Sequence, residues 1–236
     1  MISELSSIGT KHSAANQENQ DAICSGKTGQ YTAISLADGV STCEEAKVGA
    51  EIASQVINNL FLKKGKYFWG FDDAQIAELA ISHILYELNQ RAEADKKEVN
   101  EYSSTIASVL YDQKKKRLLY FSVGDSMILA TGMGGCRVLA MPSNSMLGCC
   151  TTTTGHASAM ATAKVINVDF LESIIICSDG AWRQMYAKNR LKPEVAKLLF
   201  KRKFDGLRDY LISQNSVDDC SFISLDLQNN DRRKSA

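Results

Sequence analysis

Proline is scarce in this chain, with two in 236 residues, and no low-complexity linker divides it. An excess of charge of either sign is absent too, since 27 basic residues face 27 acidic ones. That balance argues against general binding to nucleic acid or to an anionic membrane, both of which need a positive field. No apolar run reaches the length of a membrane span; the longest, Ser173 to Cys177, reads as a buried strand. The opening Met1-Ile2-Ser3-Glu4-Leu5 has neither the basic start nor the apolar stretch of a secretory signal. The seven cysteines are odd in number and include no C-x-x-C pair, so zinc and thioredoxin-like readings are weak. Adjacent Cys149-Cys150 offers a redox reading, but idle thiols are commoner. The set suits a reducing cytoplasm. No G-x-S-x-G nucleophile elbow occurs. What is present is an ordinary globular composition, 44% hydrophobic and 23% charged, long enough to bury a sizeable core.

Periodicity outlines the elements. Ala22 to Cys24 and Tyr31 to Ala37 read as strands, with Gly26 and Gly29 as turn residues between them. Gly49, Ile52, Ala53, Val56, Ile57, Leu60 and Phe61 recur at helical spacing. Glu44 and Glu45 are expected in that helix's first turn, and Lys63-Lys64-Gly65 at its end. Asp72 or Asp73 caps a second helix, which carries Ile76, Leu79, Ala80, Ile84 and Leu88, with His83 as a structural residue. Tyr67 to Phe71, between the helices, reads as a core plug. Thr105 to Tyr111, Leu118 to Val123 and Met127 to Ala130 return to β, with the basic run 114–117 as a solvated turn. Residues 141–162 read as a long surface loop, of a length often tied to function. Strands Lys164 to Val168 and Ile174 to Cys177, helices Lys192 to Phe200 and Asp205 to Ser213, and a last strand Ser221 to Leu227 complete the chain. This order breaks the βαβ rhythm and predicts an α+β fold: one domain over 1–228, two sheets face to face, helix pairs outside, and a frayed polar tail at 229–236.

Five acidic signatures run through that frame: Gln20-Asp21, Asp38-Gly39, Gly124-Asp125-Ser126, Ser178-Asp179-Gly180 and Asp218-Asp219. Four of them end or follow an apolar, β-like run. Taken singly, each also reads as a turn or a solvated loop. Together they sit where a sheet can aim carboxylates into one shared cleft, and clustered carboxylates repel unless a cation sits among them. Hard divalent ions such as Mg²⁺ or Mn²⁺ suit such oxygen donors, and sites of that kind commonly handle phosphate.

The ordered set Asn19-Gln20-Asp21, Asp38-Gly39-Val40-Ser41, Ser103-Ser104-Thr105-Ile106-Ala107, Gly124-Asp125-Ser126, Ser178-Asp179-Gly180-Ala181-Trp182 and Asp218-Asp219-Cys220-Ser221 spans almost the whole chain. It resembles the metal-dependent type 2C family of protein serine/threonine phosphatases, in a divergent, bacterial-type branch with a Gly-x-x-His start. The resemblance implies an antiparallel β-sandwich flanked by helix pairs, with a cleft at one end holding two Mg²⁺ or Mn²⁺ ions. It implies that Asp38 bridges the metals, that the Gly39 carbonyl and Asp21 serve one of them, and that Asp179 and Asp218 complete the other. Gln20 and Asp219 would be supporting positions. Water activated by the metal pair would hydrolyse phosphoserine or phosphothreonine. The expected partners are phosphoproteins, such as a Ser/Thr kinase or its targets, and the protein is expected to be a cytoplasmic monomer that binds neither nucleic acid nor membrane.

Two departures from the family pattern stand out. Asn16 occupies the place of a phosphate-gripping arginine; His12 is then either a phosphate contact or general acid, or a histidine satisfying a local hydrogen bond. Arg183 replaces an aspartate that helps Asp125 hold a third metal, so the third site should be weakened or lost, with Asp125 pairing to Arg183 or to solvent. These departures motivate a rival reading, a pseudophosphatase that binds phosphoproteins or scaffolds a complex. A second rival is a small-metabolite phosphatase with a pocket roofed by 141–162. Metal-soaked crystals test the third site: no full-occupancy ion should appear on Asp125 and Asp179 together, and one that did would overturn the expectation.

Overall fold

The computed structural model describes residues 1–143, 161–188 and 190–228. Strand β3, taking the strands in chain order from β1 (Ile2–Ser7) and β2 (Asp21–Thr28), spans Tyr31–Asp38 and shows how the layers are sorted. Its bulky Ile34 and Leu36 face one way and its small Ala33 and Ala37 the other. Bulky residues fill the gap to a second sheet, whereas small ones let a helix lie close. Helix α2 (Ala46–Phe68), which follows the short α1 (Thr10–Ala14), answers with its own small face of Ala50 and Ala53.

The first sheet runs β2-β3-β4-β5-β8, with β4 Ile106–Asp112, β5 Arg117–Val123 and β8 Thr162–Asn167. The second runs β1-β12-β9-β6-β7, with β6 Met127–Gly132, β7 Gly135–Ala140, β9 Leu171–Cys177 and β12 Cys220–Asp226. Every pairing in both sheets is antiparallel. Ile34, Leu36, Val109, Ile128, Ile174, Ile176 and Ile223 fill the space between the sheets. Helices α2 and α3 (Asp73–Asp95) cover the outer face of the first sheet, and α4 (Asp179–Met185), α5 (Pro193–Phe200) and α6 (Phe204–Ser213) cover that of the second. A two-residue ribbon, β10 (Tyr186–Ala187) with β11 (Arg190–Leu191), follows α4. The expected α+β sandwich with outer helices is what the chain forms. Among the described residues no helix is long and apolar enough to cross a membrane.

Several local expectations are corrected. Helix α2 does not stop at Lys63-Lys64-Gly65 but continues to Phe68, because Phe68 is needed in the core against Phe61. Phe68 alone is the fully buried plug; Tyr67 and Phe71 are exposed. Glu44 and Glu45 precede α2 instead of entering its first turn, and both pair with Lys97. Asp72, not Asp73, caps α3, in a reciprocal capping box with Gln75. His83 sits on the exposed side of α3, bonded to the Leu79 carbonyl. Arg117 is not part of a free basic turn: it pairs with fully buried Asp112 at 3.2 Å and lies over the Trp69 ring. β1 and β7 are strands that the apolar pattern did not announce. Of the expected loop 141–162, residues 144–160 lie outside the described residues, as do Cys149, Cys150, His156 and the tail 229–236; Thr162 already belongs to β8.

Phe68→Ala should lower unfolding free energy by about 3–5 kcal/mol. In urea melts the midpoint should fall with the slope unchanged; a shift within error would contradict the plug.

Candidate functional site

Strand register brings the acidic signatures to one end of the sandwich. In the first sheet Asp21 at the start of β2 is directly opposite Asp38 at the end of β3. Ile106, at the start of β4, pairs Val123, at the end of β5. In the second sheet Cys177, at the end of β9, pairs both Met127 and Phe222. Gly124-Asp125-Ser126 is the link from Val123 to Met127, so these two sheet ends coincide. Asp125 lies in that link, Asp179 opens α4 just past β9, and Asp218-Asp219 lead into β12.

Main-chain bonds hold the cluster in place. Thr105 N–H donates to the Asp38 carbonyl at 2.8 Å, and Asp38 N–H donates back to Thr105 Oγ1 at 3.1 Å. Gly39 bridges to Ser104 and donates its N–H to the Gln20 carbonyl. The Asp218-Asp219 backbone is wedged between Gly9 and Gly180: a Cβ on Gly9 would stand 2.4 Å from Asp218 C, and one on Gly180 2.1 Å from Asp219 O. Only glycine tolerates that approach. Lys47, at the start of α2, donates to the Asp21 carbonyl at 2.8 Å. No sequence pattern marked Lys47; only the fold brings it beside Asp21.

Burial of several carboxylates close together is the dominant property of this end. Burial drives the Asp21 carboxyl from 3.8 up to about 7, with Asp219 and Asp179 adding repulsion. The Ser221 and Ser178 hydroxyls ease the rise, yet neither Asp21 oxygen has a well-formed hydrogen-bond partner. Asp38 keeps some surface open to solvent, but its carboxyl is walled by protein. Burial, then Asp21, Asp179, Asp125 and Asp218, push it well above the usual carboxylate range. Asp179 rises to about 6, through burial first and Asp125 second, against the pull of Arg183. Asp125 is raised as well, chiefly by burial. Asp21, Asp38, Asp125, Asp179 and Asp218 thus share one field.

These side chains are not drawn into a closed shell. Among the described residues no three His, Cys, Asp or Glu side chains are gathered where one ion could be held. Asp218 Oδ1 turns back to its neighbour's N–H at 3.1 Å, and Asp179 Oδ2 turns to Arg183 at 2.9 Å. Even so, the donors left over fit a hard divalent cation: both Asp21 oxygens, Asp179 Oδ1 and Gln20 Oε1 are buried without partners, and all are oxygen.

Asp219, expected as a supporting residue, is a tie. It accepts from Gly9 N–H at 2.7 Å and Gln20 N–H at 2.6 Å, and its Oδ2 lies 2.9 Å from His12 Nδ1. His12 is 2% exposed. Of its two expected roles, the ring here takes the local hydrogen bond and offers no surface to phosphate; Nε2 is buried and unpartnered. Asn16 ends α1 in the left-handed backbone region, φ 53°, a conformation asparagine tolerates better than arginine. Of the two fates expected for Asp125, pairing to Arg183 or to solvent, the first is not formed as an ion pair: Arg183 pairs with Asp179, four residues back on α4. Asp125 instead offers its carbonyl to Trp182 Nε1 at 2.8 Å.

A family model for protein phosphatase 2C matches residues 8–211. The chain belongs to the protein phosphatase 2C family. Solved structures of similar fold include a bacterial serine phosphatase (TM-score 0.68, 15% identity, covering 97% of this chain and 98% of that one). The serine/threonine phosphatase Stp1 from Staphylococcus aureus is another (TM-score 0.69, 16% identity, 95% and 94% covered). RsbX in complex with magnesium is a third (TM-score 0.55, 13% identity, 94% and 92% covered). No curated protein matches the chain in sequence. The protein phosphatase 2C fold therefore persists here at low identity.

Asp21 and Asp179 bind a proton more tightly folded than unfolded. The folded, metal-free protein thus holds more protons between 3.8 and about 7 for Asp21, and between 3.8 and about 6 for Asp179. Stability should therefore fall as pH rises through that window. In chelator, Asp21→Asn should raise the melting temperature at pH 7.5 and leave it nearly unchanged at pH 4; equal effects at both would contradict this.

Proposed function

We propose that this protein phosphatase 2C member is a metal-dependent hydrolase of phosphoserine and phosphothreonine in proteins. The observation that carries the reading is the cluster of mutually repelling carboxylates at one sandwich end, with buried, unpartnered oxygens on Asp21 and Asp179. Such crowding destabilises the fold unless a cation relieves it. Asp21, Asp38, the Gly39 carbonyl, Asp179 and Asp218 would hold two Mg²⁺ or Mn²⁺ ions. Bound ions of this kind supply Lewis acidity to phosphoryl oxygens and acidify a water for attack on phosphorus.

The chain's own residues set the frame for that chemistry. Thr105 fixes the Asp38 backbone, and Asp219 ties Gly9, His12 and Gln20 together behind Asp21. No serine or cysteine nucleophile is required, in keeping with the missing nucleophile elbow. Phosphoproteins are the substrates we infer, with a Ser/Thr kinase or its targets as partners, in a cytoplasmic setting. The kinship in fold with bacterial serine phosphatases supports this reading.

A phosphoprotein binder without turnover is the second reading, favoured by the Arg183 guanidinium on Asp179. A phosphopeptide panel with Mn²⁺, with and without chelator, separates the two. Hydrolysis should be abolished by chelator and should drop to that level in Asp38→Ala. Phosphopeptide binding with no chelator-sensitive turnover would favour the binder.

A further inference from the structure

Arg183 brings a positive charge to the acidic end at a position where the family resemblance implies an aspartate. Its Nη2 lies 2.9 Å from Asp179 Oδ2, and its side chain is 55% exposed against 10% for Asp179. The other Asp179 oxygen is buried and unpartnered. Arg183 also pulls on Asp125 through space, so one guanidinium offsets two of the crowded carboxylates. Its guanidinium carbon already stands 5.6 Å from the centre of the Trp182 ring. That ring, held by its bond to the Asp125 carbonyl, gives the arginine a resting place off the carboxylate.

We propose that Arg183 is a built-in counter-ion that competes with a divalent cation for Asp179, so that filling this side of the cleft requires the guanidinium to swing out over Trp182. The inference rests on the metal-binding reading above and adds Arg183 to it. The pairing is local, four residues apart on one helix, and its exposed partner can leave without breaking the core. A cation that remained beside a bound divalent ion would repel it, so displacement and metal uptake are linked. Arg183 then sets the free-metal concentration at which the site fills. It is a positioning residue for the carboxylate, and no contact with substrate is implied.

Calorimetric titration of Mn²⁺ into the full chain tests this directly. Arg183→Gln, which removes the charge, should bind Mn²⁺ roughly three- to fivefold more tightly than the wild type, the upper part of the range expected of a partly exposed ion pair. Arg183→Lys, which keeps the charge, should stay within about twofold of the wild type. A gain in affinity is a readout that loss of a merely structural residue would not produce. Equal or weaker binding by Arg183→Gln, with Asp38→Asn abolishing uptake, would overturn the counter-ion role and leave the metal reading standing. Absence of uptake in the wild type and in Arg183→Gln alike would sink both.

Discussion

Like charges confined in one place are the constraint around which this molecule is organised. Asp21 and Asp38 face each other across a hairpin, a pairing that ordinary sheets avoid. Burial limits their screening by water, so the metal-free site relieves the repulsion by holding protons on these carboxyls. The fold tolerates this because the groups holding the carboxylates are themselves over-determined. Thr105 clamps Asp38 from two sides, and Asp219 takes two backbone N–H bonds besides His12. Local instability is thus stored at a rigid edge instead of being spread through the core.

The layers beneath serve that edge. Each sheet has one face against its neighbour and one against helices, so neither face is free to slide. Register is then fixed by burial, since a slip of one residue would exchange Ile34 and Leu36 with Ala33 and Ala37. That is why aspartates nearly two hundred residues apart can stand in the same field.

Much of this was legible beforehand, and the limits were physical. The acidic segments are short and local, so their order could be read directly, and the family follows from that order. Helices α2 and α3 announced themselves through long apolar stripes. β1 and β7 did not, because both lie at edges of the second sheet, and in β1 only Leu5 is buried. Edge strands half in solvent carry little alternation. The end of α2 was misplaced because Lys63-Lys64-Gly65 is a sound stop signal locally, overridden by the burial of Phe68. Convergence of the carboxylates lay beyond pattern reading, since it depends on which strand pairs which. Arg183 stands out in the sequence as the odd charge, but its partner does not: Asp125 could meet Arg183 or solvent. Helical spacing within α4 already favoured Asp179, but that helix was not anticipated.

Strand β12 lies between β1 and β9, with Ser6 opposite Ser221 and Phe222 opposite Cys177. Strands more than two hundred residues apart in sequence, β1 and β12, are therefore neighbours. During synthesis the polypeptide exposes Asp21 and Asp38 long before Asp218 and Asp219 leave the ribosome. The second sheet stays open at its middle until the last strand inserts. A nascent chain therefore cannot assemble the acidic end ahead of time, and the step that closes the sandwich is also the one that brings Asp218 and Asp219 up to Asp21 and Asp38.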